Sequence, residues 1–292
     1  MSTAVLQSAK PHFKPPCTSV RSPPMNIKGK KIAVTGASSG IGQALANALA
    51  KNGAEVLIIG RREMAAADTA ARISNAGGIA HFIAADITTA EGRANTLAAI
   101  KDKLGGLDML VNNAGGVRGG RLEDITEPEL MQMVAVNLTA PILLTRAALP
   151  LLRKSGDAAI VNVSSGLGLV GVPFYATYAA TKAGVAMFGE ALRRELKGEG
   201  IGVMTVFPVA TDTAMMQSNN AGPELGFNKE PVDAVVAAIL NGIEQDQLEV
   251  IRGGDARLQM IALNRTNPTA LDDRFQTLKP ALLKAVKDHS AL

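Results

Sequence analysis

Aromatic side chains are scarce in this chain: 3% of 292 residues, with no tryptophan. Proteins that grip sugars or stack on bases rely on aromatic platforms for affinity, so those two classes are disfavoured. A single cysteine, Cys17, rules out an internal disulfide and fits a reducing, cytoplasmic setting. No run reaches the about 18 apolar residues of a membrane-spanning helix. The most apolar stretch, 134–144, is interrupted by Asn137 and Pro141, and no membrane span is expected. Acidic residues are missing from the first 54 positions, while Lys10, Lys14, Arg21, Lys28, Lys30, Lys31 and Lys51 fall there. Without residues 1–24 the net charge drops from +4 to +1. The basic balance is therefore a terminal excess rather than a folded patch, and nucleic acid is not an expected partner. No cluster with metal-ligand spacing occurs, and His12, His81 and His289 do not form a hydrolase order.

What the chain does have is small and apolar: 47% hydrophobic residues and 29 glycines. That mixture suits thin helices packed closely on a parallel sheet with tight turns. Five prolines in residues 1–24 (Pro11, Pro15, Pro16, Pro23 and Pro24) block a helix there. The segment has no long apolar stretch of the kind a secretory signal needs. It lacks acids, as transit peptides do, but carries one arginine. It reads as a disordered tail or an extension upstream of Met25, ahead of a single domain over residues 25–292.

From Lys30 onward, short β-branched runs alternate with Ala-rich helical stretches. Strands are expected at 32–35, 55–59, 82–85, 109–112, 158–163, 203–207 and 249–251. Helices are expected at 41–52, 64–75, 89–104, 127–153, 175–198 and 231–244, with one more amphipathic helix over 271–292. Strand–helix alternation of this kind specifies an α/β fold, a doubly wound parallel sheet of about seven strands with helices on both faces. The strands are nearly continuous apolar runs, as sheet covered on both sides requires.

Two patterns carry chemistry. After the first strand comes Gly36-Ala37-Ser38-Ser39-Gly40-Ile41-Gly42, leading into a helix. Glycines there let backbone approach a pyrophosphate, and the helix start supplies free N–H groups. Much later, Tyr178 and Lys182 stand four residues apart in one expected helix, so they share a face. A phenol near pKa 10 is a poor proton shuttle at neutral pH, and a neighbouring ammonium favours its ionised form.

Each pattern alone is weak. Together they resemble the short-chain dehydrogenase/reductase family over roughly residues 30–213. The turn reads TGASSGIG, and Asn112-Asn113-Ala114-Gly115 follows the fourth strand like the family's NNAG motif. Ser165 precedes Tyr178 by 13 residues, and Asn137 precedes Ser165 by 28, both at family spacing. The resemblance implies an oxidoreductase that moves a hydride between nicotinamide and a carbonyl or secondary alcohol. Ser165 would orient the substrate oxygen, and Tyr178 would exchange its proton. Lys182 would hold the nicotinamide ribose and depress the tyrosine pKa, and Asn137 would hold a water. Asn137 also reads as a buried partner of backbone. A homodimer or homotetramer, built on the helices at 127–153 and 175–198, is implied as well.

The same resemblance places dinucleotide contacts at Gly36, Ser38, Ser39, Gly40, Ile41, Gly42, Asp86, Ile87, Asn113, Ala114, Gly115, Tyr178, Lys182, Pro208 and Thr213. Asp86 also reads as a helix N-cap. At the end of the second strand, Gly60 stands where NAD-binding members carry an acid, and Arg61 and Arg62 follow. Arginines suit a 2′-phosphate, so NADP(H) is expected over NAD(H), although both also read as solvated loop residues. Val209 replaces a family glycine after Pro208, and since valine disfavours positive φ, another loop path is expected.

The substrate side is apolar around 166–174 and at Met215 and Met216, which suits a hydrophobic ketone or alcohol. Arg118 and Arg121 read either as contacts to an acidic substrate group or as solvent-facing loop residues. A dinucleotide sensor or scaffold on the same fold is the competing reading. The filled positions at Asn137, Ser165, Tyr178 and Lys182 weigh against it.

Overall fold

The computed structural model describes residues 25–292; the expected tail at 1–24, with Cys17 and His12, lies outside them. Strands and helices alternate along the chain: β1 (Lys31–Thr35), α1 (Gly40–Lys51), β2 (Glu55–Gly60), α2 (Glu63–Asn75), β3 (Ile79–Ala84), α3 (Ala90–Ala99) and β4 (Met109–Asn112). A short strand β5 (Val117–Arg118) precedes α4 (Glu127–Val134) and α5 (Ala140–Ser155). Then come β6 (Ala158–Val163), α6 (Ala176–Glu195), β7 (Ile201–Phe207), α7 (Val232–Glu244) and β8 (Glu249–Ile251). The chain closes with α8 (Gly254–Thr266), α9 (Pro268–Val286) and β9 (Ser290–Ala291).

Seven strands form one parallel sheet in the order β3-β2-β1-β4-β6-β7-β8. Side chains alternate across it. Val56 and Ile58 join the core beneath α1, α2 and α7, while Leu57 and Ile59 join the core beneath α5 and α6. Burial on both faces explains why the strand sequences lack polar alternation. Strand order reverses between β1 and β4, and the crevice at the carboxyl ends of those strands is where α/β sheets bind ligands.

Several expected elements differ from the observed ones. β3 begins at Ile79, three residues earlier than expected, because His81 breaks the apolar run; it pairs with Glu55 at 2.8 Å. The single helix expected at 271–292 is the last part of a larger region. A helix over 254–266 precedes it, and the chain ends in β9, antiparallel to β5. The helix at 127–153 contains a π-helical stretch, Ala135–Thr139, between α4 and α5. The whole stretch Glu127–Ser155 is long and apolar enough by length and composition to cross a membrane, with mean hydropathy 1.5. Asn137 is buried within that stretch, and Pro141 stands at the start of α5, directly after the π-helical residues. One face of α5, with Leu144, Ala148 and Leu152, packs on the sheet. The start of α4 is fixed by a capping box between Thr126 and Glu129.

Candidate active site

The glycine turn follows β1 at the strand-order reversal. Gly36 and Gly40 have φ of +65° and +56°, a region that side chains with a Cβ avoid. Gly42 is small for a different reason: a Cβ there would stand 2.3 Å from Asn113 Nδ2 and 2.5 Å from Gly36 O. Gly42 therefore lets α1 pack against the turn and lies behind the cleft wall. Asn113 Nδ2 donates to Thr35 O at 2.9 Å, and Thr35 Oγ1 accepts from the N–H groups of Asn113 and Ala114. The turn after β4 thus braces the turn after β1.

Around that turn runs a cleft of about 930 Å³. Gly36, Ser38, Ser39, Gly40, Ile41, Arg61, Arg62, Asp86, Ile87, Asn113, Ala114, Gly115, Pro208 and Thr213 all line it. The volume lies near the upper end for small-molecule sites, as a dinucleotide and a substrate together require. At Gly60 a Cβ would meet Ser38 Oγ at 3.0 Å, so the serine side chain would have to give way for an acidic side chain at the end of β2. Arg61 and Arg62 are exposed at the same corner and pair with no carboxylate among the described residues. Burial works against the Asp86 carboxylate. Hydrogen bonds from the Thr88 N–H (2.9 Å) and hydroxyl (2.7 Å), with the nearby Arg61 charge, still hold its pKa below the usual value. The N-cap of α3 is Thr89, so Asp86 is free of that task. The cradle fits a nicotinamide dinucleotide, with Arg61 and Arg62 at one end of it.

At the other end of the cleft, Ser165, Tyr178 and Lys182 converge. The two serines after β6 divide their tasks. Ser164 is turned into the protein, where its hydroxyl donates to Lys182 O at 2.7 Å, whereas Ser165 faces the cleft beside Tyr178 and its hydroxyl favours the phenolate form. Lys182 is 5% exposed, and its Nζ donates to Val163 O at 3.0 Å, leaving two donors unspent inside the cleft. Its Nζ lies 5.8 Å from the centre of the Tyr178 ring. Burial pulls the Lys182 ammonium down to about 8. Burial also pushes the Tyr178 phenol up to about 12, against the pull of the Ser165 bond. Desolvation of the phenolate is the larger of the two effects on Tyr178, so the phenol is held in its protonated form.

Asn137 lies behind the cleft wall. Its Oδ1 accepts from Gly116 N (2.8 Å), and its Nδ2 donates to Gly116 O (2.9 Å) and to Thr181 Oγ1 (3.1 Å). The backbone-partner reading describes its side chain. Its position inside a π-helical stretch shifts the local carbonyls away from ordinary helical pairing. Val209 adopts no positive φ; its side chain packs against Gly253, where a Cβ would stand 2.8 Å away. Glycine 44 positions later thus accommodates the valine. Thr213 reaches Gly40, closing the cradle from the far side. Arg118 does not face the cleft: its Nε donates to Glu129 Oε1 at 3.0 Å and its Nη1 to Lys287 O at 2.6 Å. Arg121 pairs with Glu123 at 3.7 Å, also outside the lining.

Several lining residues were not legible from the sequence: Tyr175, Asn219, Phe227, His289, Ala291 and Leu292. His289 carried no signal there, being one histidine near the end of the chain.

The family described as short chain dehydrogenase matches residues 30–224. A ketoacyl reductase, HetN, of a Nostoc species is 32% identical over 253 residues, 84% of this chain and 88% of its own length. A short chain dehydrogenase from Burkholderia cenocepacia, solved in complex with NADP, is similar with a TM-score of 0.73 and 31% identity. The similarity covers 80% of this chain and 99% of that one. A 3-ketoacyl-(acyl-carrier-protein) reductase from Brucella melitensis, solved with NADH, has a TM-score of 0.71 at 28% identity, covering 79% and 99%. The fold, the cradle and these likenesses agree, and the chain belongs to the short-chain dehydrogenase/reductase family, as an oxidoreductase acting between CH–OH and C=O groups.

Proposed function

We propose that this protein is an NADP(H)-preferring carbonyl reductase for an apolar ketone, with Ser165, Tyr178 and Lys182 as its catalytic residues. The observation that carries this reading is one continuous cleft, with two unpaired arginines at one end and the serine–tyrosine–lysine group at the other. When bound, the nicotinamide dinucleotide supplies the hydride. Arg61 and Arg62 would hold its 2′-phosphate, and Lys182, with two donors unspent, would hold the ribose hydroxyls beside the nicotinamide. The Ser165 hydroxyl donates a hydrogen bond to the substrate carbonyl oxygen and fixes its orientation. Tyr178, protonated at neutral pH, gives its proton to that oxygen as the alcohol forms. Asn137 positions Gly116 and Thr181 beneath this group, and its π-helical stretch supports a route for water to Lys182. The walls at Leu167, Val209, Met215 and Phe227 are apolar and suit a hydrophobic substrate.

A second copy of the chain is proposed to cover the helices at 127–155 and α6, where Met131 and Met187 stand exposed. Following NADPH absorbance with ketones, aldehydes and 3-oxoacyl thioesters tests the activity. Tighter binding of NADH than of NADPH, or oxidation of NADPH by none of them, would overturn it.

A further inference from the structure

The family match ends at residue 224, yet the substrate end of the cleft is closed by residues beyond it. Four positions of the segment after Thr213 are stitched to the end of the chain. His289 Nε2 lies 3.0 Å from Met215 O. Ser218 Oγ accepts from Ser290 N (3.1 Å) and donates to Ser290 O (3.2 Å). Asn219 Nδ2 lies 3.3 Å from His289 Nδ1, and Asn220 N donates to Ala285 O at 3.1 Å. On the other side, β9 pairs with β5, and Gly119 N donates to His289 O at 2.8 Å.

Hydrogen-bond chemistry fixes the protons at the centre of this arrangement. A carbonyl only accepts, so the His289 proton sits on Nε2. Nδ1 is then an acceptor, and the Tyr175 hydroxyl donates to it at 2.7 Å. The same hydroxyl accepts from Asn219 Nδ2 at 2.9 Å. Tyr175 and His289 are each 2% exposed and fully partnered, so they form a structural latch rather than a substrate contact. The latch leads to the chemistry. The Tyr175 ring lies 5.7 Å from His289, 6.0 Å from Phe227 and 6.3 Å from Tyr178. Phe174, just before it, is held at φ +71°, a conformation a bulky residue adopts only when its surroundings demand it.

The lining chemistry restricts what this end accepts. The cations of the cleft are Arg61 and Arg62 beside β2 and Lys182 beneath the tyrosine. Around Phe227, Ala291 and Leu292 the one basic lining side chain is His289, and both its ring nitrogens are spent on Tyr175 and Met215.

We propose that residues 286–292 form a built-in wall of the substrate pocket, latched by His289 to residues 215–220, and that Leu292 limits the enzyme to compact, uncharged carbonyl compounds. The substrate part of this statement rests on the carbonyl-reductase reading above; the latch does not. His289 is thus a positioning residue and Leu292 a specificity residue.

Two measurements on the full chain separate the parts. Amide hydrogen exchange with NADPH present compares wild type with His289→Asn, which keeps an acceptor for Tyr175 but loses the donor to Met215. Exchange at 215–220 and 286–292 should rise together by about three- to tenfold, the loss of one ordinary buried hydrogen bond, with sheet amides unchanged. Unchanged exchange at 215–220 overturns the latch. For Leu292→Ala, kcat/KM across unbranched methyl ketones of increasing length should favour longer chains by about tenfold over wild type, mostly through KM. A profile that overlays wild type overturns the wall. If wild type reduces no methyl ketone, the substrate limit falls; the carbonyl reading falls with it only if aldehydes and 3-oxoacyl thioesters fail too, while exchange still decides the latch.

Discussion

Replacing Arg61 and Arg62 with alanine tests the cofactor corner most directly. Both guanidinium groups are exposed, so their bonds to a 2′-phosphate are screened, and each is worth about 1 kcal/mol rather than the larger value of a buried pair. Together they amount to about 2 kcal/mol, a loss of about 30-fold in kcat/KM for NADPH. NADH has no 2′-phosphate, so its kcat/KM should change by less than about twofold. Raising the salt concentration should narrow the wild-type preference, because the contact lies at the surface. A companion substitution uses the contact at Gly60. Gly60→Asp alone drives its Cβ to 3.0 Å from Ser38 Oγ and should weaken both dinucleotides. Combined with Ser38→Gly and the two alanines, the carboxylate gains room to meet a ribose diol, and NADH use should rise. Initial rates with each dinucleotide at fixed ketone measure all of this. Equal losses for NADPH and NADH in the double alanine variant would refute the assignment.

Tyr178→Phe should lower turnover by about 10²- to 10⁴-fold while NADPH affinity stays within threefold by fluorescence titration; retained turnover removes Tyr178 as the acid. Because the Tyr178 phenol stands near 12, alcohol oxidation should rise about tenfold per pH unit from 7 to 9 while carbonyl reduction stays flat; parallel profiles in both directions would contradict the protonation assigned. Burial holds the His289 pKa below the usual 6.5. The unfolded chain therefore takes up a proton first, and stability is full above about pH 6.5 and falls below it. Melting temperatures at pH 7.5 and 5.5 should differ more for wild type than for His289→Asn, and an equal difference would exclude the histidine as the cause.

The central strands and the cofactor turn were legible because local rules decide them. The β1 sequence is apolar and β-branched, and Gly36 and Gly40 adopt the backbone that a glycine signal predicts. Tyr178 and Lys182 share a helix, so four-residue spacing places both in the cleft. What failed to show depends on partners far away in sequence. Helix α8 buries only Ile261, against Val170 and Leu271, and leaves no apolar stripe to read. Val209 looked misplaced because its compensating partner, Gly253, belongs to another turn. The burial that raises the Tyr178 phenol is likewise set by the packing around it, and spacing alone does not show it.

The short ladder between β5 and β9 has a kinetic meaning. Val117 and Ala291 lie 174 positions apart. Closing an unstructured loop of that length costs about 4–5 kcal/mol of chain entropy. A two-residue ladder returns only about 1 kcal/mol per hydrogen bond. The ladder therefore cannot nucleate folding; the parallel sheet and α9 must first bring its ends together. It is expected among the last contacts made and the first released, while the dinucleotide cradle, built from β1 and β4, is already in place.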